Sequence, residues 1–236
     1  GGFTIDTPGG IGATLTGDRN YLSLTVEKKD IGIKALNAKD NIIQGGVSNN
    51  GIGMSIESSS KNTIYCISSI DNSTDKAIFL KNADNNSLYC PAGDNNEQGV
   101  VMANSNRNTL FISFTNTKKT ALNLTNSSSN IITAVIINAT GNGLEMKDSH
   151  KNKIDTTIEN ASLGISLLSS HTNRIGSTLS FNRKGGIEVK SSKDNLITFS
   201  AINNSGNSLA ANNATHSVFA GMSLNAGEHG VLFNAS

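Results

Sequence analysis

One asparagine returns at a fixed phase through most of this chain. It stands at positions 20, 41, 62, 86, 108, 130, 152, 173 and 195, in steps of 21, 21, 24, 22, 22, 22, 21 and 22 residues. The same local frame surrounds each copy, most legibly in Gly143, Leu144, Met146, Ser149, Asn152 and Ile154. A period in the low twenties that persists from end to end specifies a solenoid, in which each repeat stacks on the next, rather than a globular core.

The columns of this repeat define one coil. Eight residues before the Asn stand Ile33, Met54, Ile78, Val100, Leu122, Leu144, Ile165, Ile187, Leu209 and Val231. Six before it stand Ala35, Ile56, Leu80, Met102, Leu124, Met146, Leu167, Val189, Ala211 and Phe233. Two aliphatics spaced by two read as a short strand with one inward face. Three before the Asn is a small residue, from Ala38 and Ser59 through Ser192 and Ala214 to Ser236. Two after it an aliphatic opens a second strand, as in Thr109–Phe114, and a second Asn column closes that strand at Asn50, Asn72, Asn116, Asn138, Asn160, Asn182, Asn203 and Asn225. Each coil therefore has at least two strands and two corners. Asn tolerates the left-handed backbone of a tight corner, and its amide, stacked about 4.8 Å from its copies, can bond the coils above and below. That role is sufficient, and no catalytic role is assigned to these Asn. The predicted fold is all-β, a right-handed parallel β-helix (solenoid) of about ten coils of 21–24 residues, forming a single domain over 1–236. The handedness rests on the general preference of parallel crossovers.

Composition agrees with a thin coil. Only 36% of the 236 residues are hydrophobic and 5% aromatic, with no Trp and two Pro. Regular aliphatic spacing and a net charge of +1 argue against disorder. No cluster of Lys and Arg marks a nucleic-acid surface, and no apolar run is long enough to span a bilayer. The chain begins at Gly1 without Met and is read as a processed or trimmed product, so the lack of a leader carries no information.

Few residues stand out as chemistry. Tyr65, Tyr89 and Phe111 fall at one outward position on successive coils and predict an exposed aromatic ladder, able to stack on sugar rings, to contact protein or simply to stabilise the sheet. Glu145 and Glu188 lie outward two coils apart, with Ser166 between them and Lys147 and Lys190 two residues on. Their separation of about 10 Å is near the upper edge of inverting-glycosidase geometry, but a solvated charged face explains them better. Cys66 and Cys90 are coil-equivalent and inward; a disulfide and stacked free thiols are equally compatible with that placement. His150 and His171 are coil-equivalent with Lys193 next, too few His for a metal site. No metal or cofactor is expected. Asn-x-Ser/Thr sequons at Asn72, Asn123, Asn138, Asn160 and Asn213 are unremarkable in a chain this rich in Asn, Ser and Thr.

The frame Gly-aliphatic-x-aliphatic-x-x-Ser-x-x-Asn-x-Ile resembles the right-handed parallel β-helix repeat proteins of the pectate-lyase-like superfamily, and within it the carbohydrate-binding and sugar-hydrolase domain, NosD-like repeats, over roughly residues 12–236. The resemblance implies the fold; the superfamily spans lyases, hydrolases, epimerases, adhesins and scaffolds. Its enzymes carry site motifs that are missing here. Asn-Thr-Asp, Asp-Asp and Asp-Pro-His do not occur, and Glu228-His229-Gly230 and Arg174-Ile175-Gly176 are only fragments of the polygalacturonase-like set. The expectation is a non-enzymatic extracellular or cell-surface β-helix with a structural or adhesive role, with glycan as the expected partner; the alternative is a polysaccharide-active enzyme using Glu145 and Glu188. Phe3-Thr4-Ile5 reads as the second strand of a preceding coil, and Ser236 ends at the small position. The ends therefore predict either a piece of a longer solenoid or an end-to-end homo-oligomer.

Overall fold

The structure is a computed structural model that describes the backbone of residues 2–5 and, in full, residues 9–234. Among these residues the chain forms strands and turns with no helix, wound as a parallel β-solenoid of about ten turns. One sheet has 12 strands and the other 11, and strands along the chain alternate between them. Each coil thus has two strands, one in each sheet.

The register follows the sequence period. Ile132, Ile154 and Ile175 lie side by side in the second sheet, and Leu144, Ile165 and Ile187 in the first. All six are buried, at 0–1% exposure. The first sheet sends two residues per coil into the lumen, such as Leu144 and Met146, and the second sends three, such as Ile132, Ala134 and Ile136. Burial of each aliphatic side chain contributes roughly 1.5–3 kcal/mol, which makes this stack the main drive for folding.

Polar ladders fix the corners. Oδ1 of Asn152 accepts the backbone N–H of Asn130 at 2.9 Å and the side-chain Nδ2 of Asn130 at 3.0 Å. Its own Nδ2 donates to Oδ1 of Asn173 at 3.2 Å and to the Ser127 carbonyl at 3.0 Å. One amide thus ties three coils together while only 1% exposed. The ladder runs from Asn20 to Asn195, which passes it to the Ser217 hydroxyl. The small column adds a second ladder: the N–H groups of Ser105, Ser127, Ser149 and Ser170 each donate to the hydroxyl of the next Ser, at 3.0–3.2 Å.

Three expectations need correction. The left-handed residue at the first corner is not the Asn but the one before it, including Arg19, Lys61, Lys151, Thr172 and Asp194. The buried Asn keeps ordinary backbone geometry because its amide must reach inward. The second Asn column mixes two positions. Asn72, Asn116, Asn138, Asn160, Asn203 and Asn225 are the left-handed corner residues. Asn50 and Asn182 sit one place on and are buried; Asn50 donates to the Val26 carbonyl at 3.3 Å and Asn182 to Oδ1 of Asn204 at 2.9 Å. Finally, strand β1 (Gly2–Ile5) runs antiparallel to β2 (Ile11–Asp18), pairing Phe3 with Leu15 in the first sheet. It therefore does not supply the second strand of a preceding coil. Only five residues separate β1 from β2, whereas a parallel crossover needs about a dozen or more. Ser236 lies outside the described residues.

Removing one rung of the amide ladder leaves buried donors and acceptors open, each costing about 1–3 kcal/mol. Asn152→Ala should destabilise the fold by about 3 kcal/mol or more in chemical denaturation, well beyond Asn138→Ala at the exposed corner. Thr172 is β-branched in the left-handed region at φ 58°. Thr172→Asn, which tolerates that region, should raise stability by about 1 kcal/mol, seen as a higher denaturation midpoint.

Candidate functional site

The outer faces of the two sheets differ in chemistry. The first sheet presents Lys34, Glu57, Lys81, Glu145, Lys147, Glu188 and Lys190 along adjacent outward columns. Lys34 pairs with Glu57 at 3.2 Å and Lys190 with Glu188 at 2.7 Å. Burial raises the Glu57 carboxyl, but the Ser55 hydroxyl and the Lys34 ammonium outweigh it and hold it below the ordinary value. The second sheet instead exposes Tyr21, Ile42, Tyr65, Ile67, Tyr89, Phe111, Ile131 and Val135. This face therefore carries most of the exposed large apolar side chains of the coils from Tyr21 to Val135.

The stripe centres on the residues expected from the sequence. Tyr65 pairs in register with Tyr89, and Tyr89 with Phe111. The tyrosine rings stack with centroids 5.3 Å apart and planes 15° from parallel. They are 40% exposed and Phe111 is 52% exposed, so the rings offer edges and faces to solvent.

The backbone is irregular beside this ladder. The pairing of Ile42–Ser48 with Thr63–Asp71 shifts between Gly45 and Val47. A side chain at Gly46 would collide with Ser68, whose hydroxyl lies 1.6 Å from where its Cβ would sit. Cys66 and Cys90 meet at this place and form a disulfide, with Cα atoms 4.7 Å apart. The bond closes a loop of 24 residues and contributes roughly 3 kcal/mol against unfolding in the chain-entropy account. The bulge opens a hollow of about 310 Å³ lined by Ser69, Asp71, Pro91, Asp94, Ser113 and Thr115. Its two carboxylates already hold the coils together. Asp71 accepts the N–H of Asp94 at 2.9 Å and the Ser69 hydroxyl. Asp94 accepts from Thr115 at 2.9 Å and Asn116 at 2.8 Å. Sequence reasoning missed this hollow, because extra residues within two strands do not reveal where they bulge.

Glu145, Ser166 and Glu188 stand in one register row, as expected. Glu145 and Glu188 do not share a cleft. Glu188 lines one of about 290 Å³ with Asn142, Ser166, Lys184 and Asn207, and Glu145 is not part of that lining. Asn142 donates to Glu145 at 3.2 Å, while Lys190 neutralises Glu188.

His150 and His171 have a structural task that the sequence did not reveal. Their rings stack 5.0 Å apart, 7° from parallel. Nδ1 of His150 accepts the N–H of His171 at 3.0 Å, and Nδ1 of His171 accepts the N–H of Lys193 at 3.0 Å. They extend an outer ladder in which Asp84 caps Asn106, Asn106 caps Ser128, and Ser128 caps His150. Parallel rings with both Nδ1 atoms engaged do not converge on one ion.

This ladder is acid-sensitive. Protonation turns Nδ1 from an acceptor into a donor that faces another donor. Burial and the neighbouring His171, with a smaller push from Lys151, hold His150 below its ordinary value of 6.5, against the opposing pull of Asp148. The folded chain therefore binds fewer protons here than the unfolded chain. The contribution of His150 is complete above about pH 6.5 and is lost as the pH falls through its lower folded value. Acid denaturation of a His150→Asn variant should be less steep below pH 6.5 than that of the parent chain.

No protein-family model matches the chain, and no curated protein does. Among solved structures it is similar to one described as the catalytic domain of a GH87 alpha-1,3-glucanase in complex with nigerose, at 12% identity and a TM-score of 0.37. The match covers 99% of this chain and 51% of the other, so the chain spans about half the length of the structure it matches.

Proposed function

We propose that the chain is a non-enzymatic extracellular or cell-surface β-solenoid that binds a glycan along the outer face of its second sheet. The observation that carries this reading is the in-register row of half-exposed rings at Tyr65, Tyr89 and Phe111, with the two tyrosines stacked. Aromatic faces pack against the C–H faces of pyranose rings, and a rigid sheet holds them without loss of side-chain freedom on binding. The Cys66–Cys90 disulfide suits an oxidising compartment. The hydrogen-bonded carboxylates of Asp71 and Asp94 make the hollow beside the ladder a shelf for hydroxyls rather than an acid–base pair.

A second reading, a polysaccharide-active enzyme, rests on the polar cleft around Glu188. The two are separable by experiment. In affinity electrophoresis and calorimetry against a polysaccharide panel, Tyr65→Ala and Tyr89→Ala should each weaken binding about tenfold, a loss of about 1.4 kcal/mol, with unchanged thermal unfolding. Product release that disappears in Glu188→Gln but survives Tyr89→Ala would instead establish the enzyme.

A further inference from the structure

One coil beyond Phe111 the column that carries the aromatic ladder changes size. In register it continues as Thr133, Asp155, Gly176, Thr198 and Ala220. Tall rings give way to short side chains, and the face drops into an open cleft of about 500 Å³. Val135, Thr157 and Thr178, from the next outward column, form its flank. Lys153 and Arg174 stand exposed at the start of the same strands.

Asp155 is an exposed residue of the lining. Its carboxylate extends over Gly176, where a Cβ would sit 2.7 Å from Oδ1. A side chain at position 176 would push the carboxylate aside. Asp71, Asp84 and Asp94 are all consumed by bonds between coils. The Asp155 carboxylate makes no hydrogen bond or ion pair among the described residues. It is a free acceptor in a cleft flanked by threonine hydroxyls, in line with three aromatic rings.

That combination selects a ligand chemistry. An ionised carboxylate only accepts hydrogen bonds, and its two oxygens match two neighbouring O–H donors. A pyranose with a vicinal diol supplies such a pair. A uronate carboxylate placed over Asp155 would meet its like charge, whereas the cations Lys153 and Arg174 stand two positions earlier on their strands. Resting on the glycan reading, we infer that the Asp155 cleft is a further sugar subsite on the same strand of polysaccharide, and that the strand is neutral and lies along the solenoid axis. From Tyr65 to Thr198 the row spans six coil steps, about 29 Å at 4.8 Å each. Asp155 then sets specificity, while the rings supply most of the contact area.

The test is calorimetric titration with neutral glucan, mannan and xylan oligosaccharides, as disaccharides and as longer oligomers, with oligogalacturonides as the anionic comparison. Asp155→Asn and Gly176→Val should each weaken the longer neutral oligomers about tenfold and leave disaccharide binding at the ladder within twofold. Tyr89→Ala should weaken both. Matching thermal unfolding of the variants would show that the fold is kept. If Tyr89→Ala weakens binding while Asp155→Asn and Gly176→Val leave long oligomers unaffected, this inference falls and the ladder reading stands. If no oligosaccharide binds the parent chain, both fall. Preferred binding of oligogalacturonides would overturn the assignment of a neutral strand.

Discussion

A buried carboxamide brings two N–H donors and two acceptor lone pairs, and a folded chain can leave none of them open without a penalty of about 1–3 kcal/mol each. The Asn column meets this demand by making each amide depend on its copies in adjacent coils. Asn152 accepts twice from Asn130 and donates both to Asn173 and to the backbone beside Ser127. The bond pattern works only if the coils are in register, so the ladder converts a sequence period into a structural one. The aliphatic lumen alone would tolerate a coil slipping or lengthening. The amides do not tolerate slipping, because a shifted coil would leave several buried polar atoms unpaired; extra residues are accepted only where they leave the amides in register, as in the 24-residue step from Asn62 to Asn86.

With register fixed inside, the outward columns are free to carry function. Any residue type placed at one outward phase becomes a row along the axis, with a spacing set by the backbone. The first sheet uses this freedom for charges that pair across or along strands, as Lys34 does with Glu57. The second uses it for rings and then for a hydroxyl-lined cleft. A periodic surface of this kind suits a periodic ligand, and a polysaccharide repeats at a comparable scale. The irregular coils sit where the rings are, and the disulfide holds that bulged stretch in place.

Much of the fold was legible in the sequence because its signal repeats. The inward columns through Ile154 and Ile175, the Asn ladder and the aromatic row all emerge from aligning coils on one residue. What was hidden depends on local geometry that alignment does not encode. Shifting the left-handed residue one place from the Asn is a matter of backbone angles, as at Lys151 beside Asn152. The reversal of β1 depends on a short connection rather than on its apolar residues. The histidines were visible as a pair, but their use as backbone acceptors requires knowing which ring atom faces the next coil. The Asp155 cleft was hidden for a different reason. It is made by a change in side-chain size along one column, and a search for motifs within a coil does not compare sizes between coils.

That last point bears on how sites arise in a solenoid. In a globular enzyme, reacting groups converge from loops distant in sequence. Here neighbours across the sheet are always about one period apart, so a cleft must come from contrast between adjacent repeats. Phe111 next to Thr133, and Asp155 next to Gly176, are such contrasts. Each changes one side chain at a position where the backbone of the coil is unaltered, and none touches the amide ladder beneath. The interior can therefore remain repetitive while the second sheet's outer face varies from coil to coil, because the two are carried by alternate residues of the same strands.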